Sequence, residues 1–134
     1  MSEIIVAPNA ESALVQWGNA VSVARSLGAS VATRQPTGTR PQKWVRLFLA
    51  GGRRTSLVTR QQRFVFDFYA PTETSAYAVG AVFLGELLAL NTYAGIQFYT
   101  PELASDLTNL PDPSVTDRAR YSAQIAVGIR AHAV

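Results

Sequence analysis

Few side chains in this sequence are suited to acid–base or metal chemistry. The only histidine, His132, lies two residues from the C-terminus, and no carboxylate near it in sequence could orient it as a general base. Zinc needs three or four ligands, which one histidine and no cysteine can hardly supply. The acidic residues are spread one to each predicted element, which is typical of helix caps and solvated loops and not of a magnesium site: Asp67, Glu73, Glu86, Glu102, Asp106, Asp112 and Asp117. The sequence therefore predicts no catalytic residue, no bound metal and no cofactor.

One segment, Gly51-Gly52-Arg53-Arg54, combines glycines and arginines that could cradle an anion. It lacks the spacing of a phosphate-binding loop, and no helix is predicted after it. Two adjacent glycines permit positive φ in a tight turn. We therefore interpret Gly51-Gly52 as a hairpin turn with a basic tip, with anion binding as the alternative.

The composition favours one folded domain, residues 1–134, with 48% hydrophobic and 16% charged residues. This low charged fraction excludes a disordered chain and hints at a surface covered by partners. The net charge of +3 rests on arginines scattered from Arg25 to Arg130, a pattern that disfavours direct DNA binding. The longest apolar stretch, Ala76 to Leu90, is too short to span a bilayer, and the N-terminus shows no signal peptide. We expect no membrane association, and we expect the newly made chain to be in the cytosol.

The first half of the chain predicts a helix followed by strands. Asn9 can cap a helix from Ala10 to Leu27, which Gly28 would end in the left-handed conformation. Residues 35–41 are rich in helix and strand breakers and predict a long exposed loop. A strand from Lys43 to Ala50 follows, and a second strand from Arg60 to Tyr69 returns from the turn.

In this second strand Phe64, Phe66 and Phe68 share one face and predict a wall of the core. Beyond it the pattern predicts a helix from Thr72 or Thr74 to about Leu90, a strand from Gly95 to Thr100, a loop from Pro101 to Asp117 and a last alternating strand. That strand, about 120–133, is long enough either to reach a neighbouring molecule or to fray. The order of elements predicts an α+β fold, a mostly antiparallel sheet with two helices packed on it.

A strand, a glycine pair, a second strand and a helix follow one another in the middle of the chain. Their residues are Trp44-Val45-Arg46-Leu47, residues 51–54, the run from Arg63 to Ala70 and the helix with Ala76 and Ala78. Pro111-Asp112-Pro113, Arg120-Tyr121 and the final strand come later. In these segments, about two-thirds of the chain, the sequence resembles the tail terminator (tail completion) proteins of long-tailed bacteriophages, especially those of actinobacterial hosts.

The resemblance implies a structural virion protein at the head–tail junction, assembled in the host cytoplasm. Such a protein forms a hexameric ring that caps the tail tube, ends its polymerisation and joins it to a head-side connector. DNA would pass through the ring without specific binding. Loops carry function on rigid scaffolds, so the candidate partner contacts are Arg53, Arg54, Arg40 and Gln35.

Three alternatives remain open from the sequence. Another head–tail connector or a tail-tube subunit would have a similar size, and only its position and stoichiometry in the particle would separate it. A small ligand-binding domain would show a deep apolar pocket. An enzyme would need a polar cluster that the sequence does not display.

Overall fold

Two helices and eight strands follow one another along residues 4–134, the part of the chain that the computed structural model describes. In chain order they are β1 (Ile5–Val6), α1 (Ala10–Ala24), β2 (Ala29–Ala32), β3 (Lys43–Arg54), β4 (Thr59–Ala70), α2 (Glu73–Leu88), β5 (Thr92–Tyr93), β6 (Ile96–Asn109), β7 (Ala119–Arg130) and β8 (His132–Ala133).

Six of the strands form one curled sheet in the order β2-β3-β4-β7-β6-β5. β2 pairs with β3 in parallel, and the other neighbours are antiparallel. Both helices pack on one face, here called the inner face, and bury their apolar stripes there. The predicted α+β fold, a mostly antiparallel sheet with two helices on it, is confirmed.

The core lies between the inner face and the helices. Phe64, Phe66 and Phe68 are each 0% exposed, as their period-two spacing predicts. Phe83 of α2 packs against Phe68, and Trp17 of α1 meets the ring of Phe83 edge-on at 6.1 Å between centroids. The two helices thus share one aromatic cluster with the centre of the sheet.

Helix boundaries follow the capping residues with one exception. The Asn9 side chain accepts a hydrogen bond from the Ser12 N–H at 3.0 Å, and Thr72 forms a capping box with Ser75 at the start of α2. The prediction that α1 reaches Leu27 was wrong, since the helix ends at Ala24, although Gly28 has the predicted left-handed conformation (φ 68°). Ser26 takes the left-handed conformation (φ 54°), and the N–H of Leu27 turns back to the carbonyl of Ser22.

The largest correction concerns Gly51-Gly52, which do not form the hairpin turn. β3 continues through them to Arg54, and its pairing register with β4 shifts between Leu49 and Gly52, so the two glycines form a bulge. The chain reverses later, over residues 55–58, where the N–H of Thr55 donates to the carbonyl of Thr59. Arg53 and Arg54 are therefore strand residues beside the turn.

Two further segments differ from the sequence pattern. The predicted loop from Pro101 is the second half of β6, which pairs irregularly with β7 and shifts register three times before Asn109. The C-terminal segment neither frays nor projects, because His132 and Ala133 pair with Val6 and Ile5 of β1. No helix within residues 4–134 is long and apolar enough to cross a membrane.

Two glycines of α2 allow a matched test of helix packing. A Cβ on Gly80 would lie 2.7 Å from Leu107 and 3.0 Å from the Phe68 ring, whereas a Cβ on Gly85 would meet nothing within 4 Å. We expect Gly85→Ala to raise the free energy of unfolding by about 0.5 to 1 kcal/mol through helix propensity. Gly80→Ala should lower the free energy of unfolding by about 1 kcal/mol, because crowding against Leu107 and Phe68 outweighs the gain in helix propensity. Urea unfolding of both variants tests this, and equal shifts would contradict the packing.

Candidate protein interface

The outer face of the sheet, opposite the helices, is covered at one end only. There Trp44 and Tyr69 lie on neighbouring strands with their rings stacked 4.7 Å apart, and Val115 from the loop before β7 packs against them. Both aromatic side chains are buried. This small second core holds the loops 33–42 and 110–118 on the sheet.

A chain of hydrogen bonds completes this covered end. The indole N–H of Trp44 donates to Gln35 Oε1 (2.8 Å), and Gln35 Nε2 donates to the Tyr69 hydroxyl oxygen (2.7 Å). The Tyr69 hydroxyl in turn donates to Asp112 Oδ2 (2.8 Å). Gln35, one of the predicted partner contacts, thus uses both ends of its amide inside the molecule.

Two ionisable groups in this series of hydrogen bonds, Tyr69 and Asp112, have shifted pKa values. Burial, together with the hydrogen bond to Asp112, raises the pKa of the Tyr69 hydroxyl above its ordinary value. Burial acts in the same direction on Asp112, but hydrogen bonds from Ser114 and Tyr69 and the charge of Arg120 outweigh it and lower the pKa of that carboxyl. Tyr69 is therefore a neutral donor to a carboxylate around neutral pH.

Arginines close the covered end from outside. The guanidinium groups of Arg40 and Arg118 lie 5.9 and 5.6 Å from the Trp44 ring centroid, and both are within 4 Å of Asp117. Arg40, also a predicted partner contact, is exposed and has these two intramolecular neighbours. At this end the arginines are matched by carboxylates.

The bridging hydroxyl can be tested separately from the stacked rings. Tyr69→Phe keeps the stack with Trp44 but removes a buried hydroxyl that accepts from Gln35 and donates to a carboxylate. We expect the free energy of unfolding to fall by about 1.5 to 3 kcal/mol. The control is Tyr77→Phe on α2, whose ring is half exposed and whose hydroxyl makes no hydrogen bond within the described chain. Equal thermal melts for the two variants would contradict the network.

Five of the eleven arginines gather at the opposite end of the sheet, here called the basic end: Arg53, Arg54, Arg60, Arg63 and Arg130. Arg54 lies directly across from Arg60, and Arg130 lies across from Thr59. Within residues 4–134 none of the five comes within 4.0 Å of a carboxylate oxygen. Like charges directly opposite each other destabilise a strand pair, so an anionic partner would relieve a cost here.

Two shallow clefts flank the strands at the basic end. They have volumes of about 280 and 320 Å³ and share the residues Gly52, Arg53, Gln61 and Gln62. One adds Arg63, and the other adds Arg54 and Arg60. Planar guanidinium groups suit two-point hydrogen bonds to carboxylates or phosphates. The arrangement is suited to binding an acidic surface.

Two long strand edges lack a partner in the described chain. β2 pairs with β3 only up to Arg46, so the edge of β3 beyond Arg46 has no partner strand. On that edge the N–H of Leu49 donates to the Glu11 carboxylate at 2.7 Å. β5 pairs with β6 only up to Gln97, and the N–H of Phe98 donates to the Asn91 carbonyl at 2.8 Å, which leaves the edge from Tyr99 to Asn109 open. Unpaired edges are templates for pairing with another chain.

The two open edges differ in charge. The β3 edge ends in the basic end, whereas β6 carries Glu102 and Asp106 on an exposed stretch, here called the acidic edge. Exposed apolar side chains accompany both: Leu49 and Leu57 on one side, and Tyr99, Leu103 and Leu110 on the other. The mixture of apolar and charged groups is typical of the rim and core of protein interfaces.

Sequence reasoning found Arg53 and Arg54 but missed the other three members of the basic end. Arg60 and Arg63 flank two glutamines in the strand, and Arg130 is distant in sequence, so only the pairing register brings them together. No group of three or more histidine or carboxylate side chains within residues 4–134 is placed to hold a metal ion. This chain matches no protein-family model and no curated protein.

Proposed function

We propose that this chain is a structural subunit of a long-tailed bacteriophage and that it forms a ring of the tail terminator type. Six copies would cap the tail tube, end its polymerisation and join it to the head-side connector. The observation that supports self-assembly is the pair of open strand edges on opposite sides of one sheet. The resemblance described above supports the tail as the place of assembly.

Edges on opposite sides of a sheet produce a head-to-tail contact between copies. Such a contact uses two different surfaces and repeats until it closes, as a ring if the rotation between copies divides a full turn and as a filament if it does not. The curl of the sheet supplies rotation between successive copies. The open edges and the curl of the sheet thus support a ring in this proposal.

In this proposal the partners are further copies of the chain, the tail tube protein and the head-side connector. The ring lies at the head–tail junction of the virion after assembly in the host cytoplasm. DNA passes through it without specific binding. The subunit performs no reaction and needs no cofactor.

The oligomeric mass tests the first part of the proposal. Six copies of the 14.5 kDa chain give about 87 kDa for a closed ring. We expect light scattering to give this mass over a range of concentrations and negative-stain images to show rings. Open filaments would favour a tail-tube subunit instead. A monomer at every concentration, together with absence of rings from the assembled particle, would overturn the proposal.

The terminating activity is tested with the tail tube protein of the same phage. Added in excess during tube polymerisation, the chain should bind tube ends and stop growth, so that electron micrographs show tubes of bounded length with a capped end. Serum albumin at the same concentration is the control. Unchanged tube lengths and bare ends would contradict the terminator role even if rings form.

A further inference from the structure

We propose that the basic end of one copy binds the acidic edge of the next copy, with Arg53 facing Glu102. This inference rests on the proposed function, since it names the contact by which the ring closes. It commits to a second copy of this chain as the occupant of the basic end.

The register of the sheet places Arg53 and Glu102 where neighbouring copies can bring them together, whereas Arg54 pairs with Arg60 on the opposite face. Arg53 pairs with Gln61 and shares its face, because Arg53 Nε donates to Gln61 Oε1 at 3.2 Å. Gln61 is two residues from Arg63, and the row of Arg63 runs through Ala126 to Glu102. Arg53 and Glu102 therefore lie on the outer face in adjacent rows, at opposite edges. When two copies lie side by side, Arg53 of one copy therefore comes close to the height of Glu102 of the other.

The charges are complementary and not already used. The basic end has no carboxylate within 4.0 Å inside the described chain, and Glu102 and Asp106 form no ion pair there. Elsewhere in the same chain arginines and carboxylates pair internally, as in Arg25 with Glu86. The four residues to be exchanged are exposed strand residues: Arg53, Arg54, Glu102 and Asp106. Opposite charges across such an interface set its register and speed its formation.

Charge-swapped variants test the contact. Arg53→Glu with Arg54→Glu places acidic groups against the acidic edge, and Glu102→Arg with Asp106→Arg places arginines against the basic end. Each variant alone should need at least about tenfold more protein to assemble than the unaltered chain. Mixed in equal amounts, the two variants should assemble again, because every contact then joins opposite charges.

The mixture has a second signature. The variants can only alternate around the ring, so the mixed assembly must contain equal numbers of each and an even total. With one variant carrying a mass tag, native mass spectrometry should show three copies of each in the hexamer. A random distribution of the two would overturn the proposal.

The control reverses two charges at a site distant from both edges and keeps the ion pair between them. Arg25→Glu with Glu86→Arg exchanges the partners of the pair between α2 and the residue that follows α1, and this variant should assemble as the unaltered chain does. If a reversed variant does not fold, judged by circular dichroism, the neutral pairs Arg53→Gln with Arg54→Gln and Glu102→Gln with Asp106→Asn replace it. The neutral variants should each weaken assembly.

The outcomes separate this inference from the proposed function. If the unaltered chain assembles and all variants assemble equally well, the ring stands and the edge contact is wrong. If reversal at Arg53 and Arg54 leaves assembly intact but abolishes binding of a short fluorescent duplex DNA at physiological salt, the basic end binds nucleic acid and the inference is overturned. A chain that never assembles refutes the proposed function itself.

Discussion

Truncation of Phe66 to alanine is expected to lower the free energy of unfolding by about 3 to 5 kcal/mol. Phe66 lies in the middle of β4, is 0% exposed and packs beside Phe68 with 6.0 Å between ring centroids. Leu47 and Ala123 flank it on the neighbouring strands. Its removal leaves a cavity with walls from three strands, which such a central site cannot close by local collapse.

The measurement is urea unfolding followed by circular dichroism, with Leu57→Ala as control. Leu57 lies in the hairpin loop and is 65% exposed, so its truncation should change stability by no more than about 0.5 kcal/mol. A domain of this size has a total stability of about 5 to 15 kcal/mol. The Phe66 variant should therefore unfold at a much lower urea concentration than the control. Similar urea midpoints for the two variants would contradict the core assignment.

Gly52→Ala is expected to destabilise the chain by about 3 kcal/mol, although it adds a single methyl group to an exposed strand end. A Cβ at this position would be closer to the Gln61 carbonyl oxygen than the sum of the two van der Waals radii, and 2.9 Å from the Gln62 Cα. These are backbone atoms of the paired strand and cannot turn aside as a flexible side chain can. The bulge must open, and the pairing of β3 with β4 beyond Leu49 is lost with it.

The Gly52 variant has a second readout, because the bulge also sets the position of Arg53 and Arg54. Hydrogen exchange should increase at the amides of β3 and β4 near the hairpin and remain slow at Phe66 and Phe68. The Gly85→Ala variant is the control for an added methyl group without a neighbour. Unchanged exchange near the hairpin would show that Gly52 is not held against Gln61.

The sequence by itself determined the elements whose side chains repeat with the period of the backbone. Phe64, Phe66 and Phe68 predicted the inner face of β4, the alternation after Arg120 predicted β7, and Asn9 predicted the start of α1. For α2 the sequence left Thr72 and Thr74 open, and the structure places Thr72 at the start. These features depend on neighbours within a few residues, so a local pattern contains the information. The α+β fold class followed from their order.

The tertiary structure alone decided what depends on pairing between distant segments. Gly51-Gly52 suit a turn and a bulge equally well, and β3 continues past them because Arg53 and Arg54 find partners in Gln61 and Arg60. The irregular half of β6 has no alternating pattern of its own and is held by the regular strand β7.

The covered end and the basic end were decided in the same way. Gln35, Tyr69 and Asp112 are far apart in sequence and meet because two loops fold onto the same buried stack of rings. The arginines looked scattered because an antiparallel register relates residues by the sum of their numbers, so Arg60 and Ile129, or Thr59 and Arg130, become neighbours only once β4 and β7 are aligned. Burial of the phenylalanine face fixes that alignment, and through it the concentration of positive charge at one end of the sheet.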